Sequence, residues 1–476
     1  MPRPPDPDTL GELKAAVGTG SWLEEPDEVA PFLSDFRRLY HGATPLVLLP
    51  RNVGEVAQIL RICNREEVAV VPHGGNTGYC GGATPDEAGS QIVLSLRRLN
   101  RIRQIDAANY SMIIEAGCTL AAAQAAAREA DRFFPLSLGS EGTAQIGGNL
   151  STNAGGTAVL RYGMMRDLVL GLEVVLADGR VLEALKSLRK DNTGYDVKSL
   201  FVGAEGTLGV ITAASLKLFP QPADAATALV GIDSPQHALN LLASLRTAAG
   251  DQVTSFELMP RLAVELTVRH VPGVADPLGQ NTPWYLLIEL TSANPRQDQG
   301  TVLTAALEEA AATGTIVDAM LATSMAQAQA MWKLRESVPE AQRRHGASLK
   351  HDVSVPVSAI PTLILEGSAL VRRLAPEGDV ISYGHAGDGN LHFNVSQKPG
   401  VDVDSFMARG PALELAMFDL VESLGGSISA EHGIGRLKAA EFARRADPVE
   451  LAVMHELKRA LDPKGIMNPG KVLCVR

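Results

Sequence analysis

The sequence predicts an α+β protein of two or three domains, and three observations carry that prediction. Its 476 residues exceed what one hydrophobic core usually organises. From about Ala43 to Pro220, short apolar strand patterns alternate with helical ones and with clusters of glycine. After a break rich in proline and small residues, "LKLFPQPADAATA", strands and helices alternate again in a pattern that suits an antiparallel sheet covered by helices. The expected division is an N-terminal helical segment over 1–40, a first domain over 41–220, a second over 221–425 and a C-terminal segment over 426–476.

The start, "MPRPPDPDTLGELK", carries prolines and acids where a signal peptide would carry an apolar core. No apolar run approaches the length needed to span a bilayer. "ATPLVLLPRNVGEVAQILRICNREEVAVVPHGG" reads as strand, helix, strand, with Val53, Val56, Ile59, Leu60 and Cys63 at helical spacing. "QIVLSL" and "YSMIIEAGCT" follow as strands, and "TLAAAQAAAREADRF" as a helix with Thr119 at its N-cap. Beyond residue 220, "ATALVGI", "YLLIELT" and "DVSVPVS" read as strands; "SPQHALNLLASLRTAAG" and "QDQGTVLTAALEEAAATG" read as helices between them. The tail, "DPVELAVMHELKRALDPKGIMNPGKV", is a helix stopped by Asp-Pro.

Composition narrows the class. Apolar residues at 45% and charged residues at 20% describe an ordinary globular protein, and aromatics at 4% leave the cores to Ala, Val, Leu and Ile. A net charge of -11 argues against a general nucleic-acid binder while leaving room for a local cationic pocket. Cys63, Cys80, Cys118 and Cys474 show no CxxC spacing and read as free thiols of a reducing, cytoplasmic compartment.

Three glycine-rich stretches concentrate the chemistry: "VVPHGGNTGYCGG" (70–82), "PLSLGSEGTAQIGGNLSTNAGG" (135–156) and "FVGAEGTLGVIT" (201–212). Glycine lets backbone amides approach an anion closely, and Asn76 and Thr77 add side-chain donors, so the first reads as a diphosphate cradle. It is neither a Walker nor a Rossmann fingerprint. Together the stretches resemble the two-part, PCMH-type flavin domain of the vanillyl-alcohol-oxidase-type FAD proteins, over about residues 41–220. In that family the first stretch binds the diphosphate and the other two surround the flavin and ribityl chain. The resemblance implies cofactor contacts from Gly74, Gly75, Asn76, Thr77 and Gly78; from Gly139, Ser140, Gly142, Gly148, Asn149, Thr152, Gly155 and Gly156; and from Glu205, Gly209 and Ile211. Some members attach FAD through a histidine after the two glycines; Asn76 stands there, which implies non-covalent FAD.

"SYGHAGDGNLHFNV" places two histidines seven residues apart around an Asp-Gly pair. If Asp388 and Gly389 form a two-residue hairpin turn, His385 lies opposite His392, with Cβ atoms ~5 Å apart on one face. Two imidazoles so placed suit a divalent metal, and a carboxylate would complete the set. "ISAEHGIGRLK" supplies Glu431 as that carboxylate and His432 as a general base of near-neutral pKa.

Downstream, "MWKLRESVPEAQRRHGASLKHDVSVP" gathers basic residues that would suit an acidic substrate. "WKLRE", "LKHDVSVP", "GHAGDGNLHFNV", "ISAEHGIG" and "MNPGK" resemble the D-2-hydroxyglutarate dehydrogenase branch of the FAD-linked D-2-hydroxy-acid dehydrogenases, and the likeness runs over nearly the whole chain. The resemblance implies zinc on His385, His392 and Glu431; substrate contacts from Arg335, Lys350 and Asn394; catalysis by His432; and Asn468 near the flavin, on a C-terminal segment that returns to it. One position departs: the branch often carries threonine four residues after the arginine, where this chain has Pro339. The expected reaction is oxidation of a D-2-hydroxy acid, D-2-hydroxyglutarate first and D-lactate or glycolate as alternatives. No Fe–S or haem motif is present, so electrons should leave FAD for an electron-transfer flavoprotein or a quinone. The sequence is compatible with a homodimer and does not fix the oligomer.

Overall fold

A computed structural model describes residues 2–474, which form two compact units. The first takes residues up to Gly156, Gly163–Gln221 and the chain from Glu431 onward; the second takes Thr157–Tyr162 and Pro222–Ala430. The division after Gln221 lies one residue from the anticipated 220, and the C-terminal segment joins the first unit from Glu431 rather than from 426. Among the described residues no helix is long and apolar enough to cross a membrane. None of the four cysteines forms a disulfide: Cys63, Cys80 and Cys118 are buried and Cys474 is exposed.

In the first unit, a four-stranded sheet runs in the order Trp22–Leu23, Val47–Leu48, Gln91–Ser95, Ala69–His73, its last three strands parallel. A parallel pair needs a crossover, and helix Val53–Glu66 provides it. The Asn52 side chain caps this helix by accepting from the Glu55 N–H, and Glu67 closes it in the left-handed region, φ +57°. Val56, Ile59, Leu60 and Cys63 are buried with Val70, Ile92 and Leu94 of the sheet. Strand Ala69–His73 therefore stops at a fixed point, where the first glycine stretch begins. A five-stranded antiparallel sheet follows, ordered Ile102–Asp106, Ser111–Glu115, Val210–Lys217, Val169–Val175, Val181–Ala184. Helix Leu120–Glu129 is capped by Thr119, whose side chain accepts from the Ala122 N–H. The C-terminal segment reaches the first sheet: the Val70 N–H donates to Ile466 O and the Asn468 N–H to Val70 O, both at 2.8 Å.

The second unit is one seven-stranded antiparallel sheet, ordered Asp318–Leu321, Asp224–Ile232, Trp284–Ser292, Val253–Pro260, Gly378–His385, Asn390–Gln397, Ser348–Ser354. Successive side chains alternate between its faces. Ala228, Val230, Leu286, Ile288 and Phe256 pack with Leu241, Leu303, Leu363 and Met417 from helices Pro235–Ala249, Gln299–Ala312, Ile360–Leu374 and Gly410–Ser423. Leu229, Leu287, Met259 and Tyr285 pack with Leu266, Met331, Leu334 and Val338 from helices Arg261–His270, Met325–Glu336 and Val338–His345. The "DVSVPVS" strand ends at Ser354, ahead of Pro356, which has no N–H to offer the ladder.

The histidine hairpin departs from the expected register. Tyr383 lies opposite His392, and the loop is the four residues Ala386–Gly389. A type I′ turn needs positive φ at both central residues, but among Asp388 and Gly389 only Gly389 has it, φ +91°. Asp388 instead accepts from the Asn390 N–H through Oδ1 at 3.1 Å. The shift is two residues, one full side-chain period, so both histidines keep the same face and become diagonal neighbours.

Phe393 has no exposed surface and packs in the larger core of the second unit. Phe393→Ala should cost about 3–5 kcal/mol in denaturant unfolding of this unit. The control, Leu365→Ala at a side chain 69% exposed, should change it by less than about 0.5 kcal/mol.

Candidate functional site

The first unit carries a cleft where the glycine stretches meet. Its walls include Gly74, Gly75, Asn76, Thr77 and Gly78 from the first stretch, Gly148, Asn149 and Thr152 from the second, and Glu205, Gly209 and Ile211 from the third. The backbone N–H groups of Gly75, Asn76, Thr77 and Gly78 donate to no acceptor among the described residues. At Gly78 and Gly148 a Cβ would stand in open space, so glycine there keeps the cleft wide. At Gly75 a Cβ would lie 2.0 Å from Thr143 O, so only glycine permits that approach. Buried polar atoms without partners also lie on residues of the wall: both ring nitrogens of His73, Gln145 Oε1 and Asn149 Nδ2. Buried polar groups are normally satisfied, so this pattern fits an anionic, heteroatom-rich ligand such as FAD.

Six residues anticipated as cofactor contacts do not line the cleft. Gly139, Ser140 and Gly142 belong to a turn in which both glycines are exposed and Ser140 O accepts from the Thr143 and Ala144 N–H groups. Gly155 is buried, and the Gly156 N–H donates to Glu431 Oε1 at 2.7 Å. Asn468 is buried behind the wall, its Nδ2 donating to Gly82 O at 2.9 Å and to Glu205 O at 2.7 Å. Sequence reasoning missed His73, Gln145, Gly81 and Gly82 on the wall, although each stands inside or beside a quoted glycine stretch.

His432 also lines the cleft. Its ring meets Tyr79 edge-on, with centroids 4.6 Å apart. Burial, helped by the nearby Glu431 carboxylate and opposed by Arg37, raises the Tyr79 pKa. The loop after His432 is held by Glu205, whose carboxylate accepts from the Ile434 N–H at 2.8 Å and from the Gly435 N–H at 2.9 and 3.1 Å. Burial raises the Glu205 pKa against the pull of those two N–H groups and of Lys438.

In the second unit, Glu257 and His385 lie directly opposite each other across neighbouring strands. His385 Nδ1 donates to Glu257 Oε1 at 2.6 Å. Arg335, from helix Met325–Glu336, reaches Glu257 Oε2 with Nε at 2.8 Å and Nη2 at 2.7 Å. Burial opposes ionisation of Glu257, but His385 and Arg335 outweigh it and hold the pKa down to about 2. Arg335 also lies over the Tyr383 ring at 4.9 Å; Tyr383 is 5.2 Å from His392, and His392 is 5.6 Å from His385, centroid to centroid. The two imidazoles are neighbours on one sheet face, and Asp352 Oδ1 lies 3.6 Å from His392 Nδ1. This donor set of two imidazoles with carboxylates beside them suits a divalent metal.

The anticipated substrate residues behave differently from one another. The guanidinium edge of Arg335 is committed to Glu257, which leaves Nη1 outside that fork. Lys350 is exposed on strand Ser348–Ser354, opposite Asn394. Asn394 is buried and donates from Nδ2 to Gln342 Oε1 at 3.0 Å. Pro339 sits in the first turn of helix Val338–His345, where a missing N–H costs nothing. Glu257 and Asp352 were not singled out from sequence; the available signal was an acid within each of the strand patterns "VTSFELMP" and "LKHDVSVP".

Burial lowers the His73 pKa to about 4. The unfolded chain takes up this proton near pH 6.5 and the folded chain resists it until about 4. Its contribution is therefore complete above pH 6.5 and drains away as pH falls through that window, on the order of 3 kcal/mol in all. Unfolding measured at pH 7 and pH 4.5 should show a smaller acid loss for His73→Leu than for the parent protein.

Residues 44–185 match the FAD binding domain family, and residues 221–472 match the family "FAD linked oxidases, C-terminal domain". The mitochondrial D-2-hydroxyglutarate dehydrogenase of Bos taurus is 40% identical over 467 residues, 98% of this chain and 83% of that protein. The D-2-hydroxyglutarate dehydrogenase of Xanthomonas citri pv. viticola is 35% identical over 467 residues, 98% of this chain and 97% of that protein. Among solved structures, p-cresol methylhydroxylase with substrate bound superposes with a TM-score of 0.75 at 17% identity, covering 98% of this chain and 96% of that one. That likeness shows a shared fold.

Proposed function

This chain belongs to the FAD-linked oxidase family, in the branch of the D-2-hydroxyglutarate dehydrogenases, and we propose that it oxidises D-2-hydroxyglutarate to the 2-oxo acid. The observation that carries the reading is His432, a proton acceptor on the wall of the cleft that the glycine loops build. FAD, when bound, supplies the hydride acceptor, and a divalent metal, zinc by resemblance, when bound lowers the pKa of the substrate hydroxyl. Non-covalent FAD rests on the unpaired N–H groups from Gly75 to Gly78, with Gly74, Gly148, Asn149, Thr152, Glu205, Gly209 and Ile211 completing the wall.

His432 takes the hydroxyl proton on an imidazole nitrogen while Tyr79 and the Glu205 clamp fix the ring. His385, His392 and Glu431 are the metal ligands in this reading, supported by the two neighbouring imidazoles and by the Glu257 contact to His385. Lys350 and Nη1 of Arg335 hold carboxylate charge, and Asn394, fixed by Gln342, offers its amide. Electrons pass onward to an electron-transfer flavoprotein or a quinone. A cytoplasmic location is our reading of four cysteines that form no disulfide. A second reading, a D-lactate or glycolate dehydrogenase, draws on Pro339 and on the committed edge of Arg335, both of which weaken the grip on a second carboxylate.

The test is anaerobic. D-2-hydroxyglutarate should bleach the flavin absorbance of the purified protein, its L-enantiomer should not, and chelator should slow the bleaching. Bleaching by D-lactate or glycolate but not by D-2-hydroxyglutarate would transfer the assignment to the second reading; no bleaching by any of them would refute both. His432→Ala should keep the flavin and slow its reduction by about 10²–10⁴-fold, read by stopped flow.

A further inference from the structure

We infer that Glu257 is a positioning residue for the metal site: it fixes His385 in the Nδ1–H tautomer, so that Nε2 carries the lone pair a metal needs. The inference rests on the metal assignment above and deepens it.

The placement begins with strand register. Only two residue pairs join strand Val253–Pro260 to strand Gly378–His385, and one of them is Glu257 with His385. Directly opposed residues share a face, so the carboxylate and the imidazole have to meet. A carboxylate can only accept, so at 2.6 Å the proton lies on His385 Nδ1. Arg335 grips the other oxygen through two N–H donors, so the carboxylate cannot swing away from the histidine. Glu257 has no exposed surface, so its oxygens depend on these two partners. A buried carboxylate with neither partner would be costly, which ties the three residues into one unit. The same unit explains why Arg335, the family's anticipated substrate contact, presents Nη1 rather than its Nε edge. Its charge is partly spent on the acid that orients a metal ligand.

The test uses the FAD-loaded protein stripped of metal. Selective ¹⁵N labelling of histidine should show His385 protonated at Nδ1 in the parent protein; a protonated Nε2 with a bare Nδ1 would overturn the inference whether or not the protein binds metal. Zinc titration against a competing chelator should then show affinity about 10–100-fold weaker in Glu257→Gln than in the parent, with flavin content unchanged. Equal affinity in the two would mean that Glu257 only braces Arg335, and the inference fails. A parent protein that binds no zinc would refute the metal assignment, while the tautomer measurement still decides the role of Glu257. If Glu257→Gln does not fold, Glu257→Asp, which keeps the charge but draws it back by one methylene, should fall between the two in zinc affinity.

Discussion

The carboxylate of Glu205 is the contact on which the catalytic reading of the first unit depends. His432 arrives from a segment more than two hundred residues downstream of the glycine loops, and nothing local would hold it on their wall. Glu205 does so by accepting from the Ile434 and Gly435 N–H groups, across sequence separations of 229 and 230 residues. The geometry leaves no slack: a Cβ on Gly433 would lie 2.7 Å from the same carboxylate, and Gly433 has φ +74°. Burying an acid is costly unless its oxygens are satisfied, and here the backbone that needs positioning satisfies them. Asn468 secures the same region from behind, joining the Gly82 and Glu205 carbonyls. Lys458 ties the last helix to Thr207 O and Met467 O.

The second unit solves a related problem with a sheet. One face carries an apolar core under four helices, and the other combines a smaller core with a connected set of ionisable and aromatic groups. Arg335, Glu257, His385, His392 and Tyr383 touch in sequence around a closed circuit, and strand register places four of the five. Such a set is stable only if each charge finds a partner, which explains the double contact from Arg335 to Glu257 beside the histidine.

Much of this was legible in the sequence. The helices with a capping residue and a regular apolar stripe, such as Val53–Glu66 behind Asn52, follow from local physics. The glycine stretches were legible as one cleft because no other demand puts so many glycines beside three strand ends. The hairpin register was not, since Asp-Gly favours a two-residue turn only where both residues take positive φ, and Asp388 does not. The faces survived because a two-residue slip restores the alternation. Gly139, Ser140 and Gly142, assigned to the cofactor by resemblance, sit in a turn that does not line the cleft. Glu257, Tyr79 and Gln342 were illegible as site residues because their roles depend on partners distant in the chain.

The most direct test of the central claim, that Glu205 holds the proton acceptor against the flavin cleft, is the rate of anaerobic flavin reduction by D-2-hydroxyglutarate in Glu205→Gln. The amide keeps the size of the acid but can accept at only one atom and turns an N–H donor toward the loop. The account predicts retained FAD and a reduction rate about 10–100-fold slower, since small displacements of a reacting group cost that much. Flavin reduction at the parent rate would show that His432 needs no such clamp and would contradict the account.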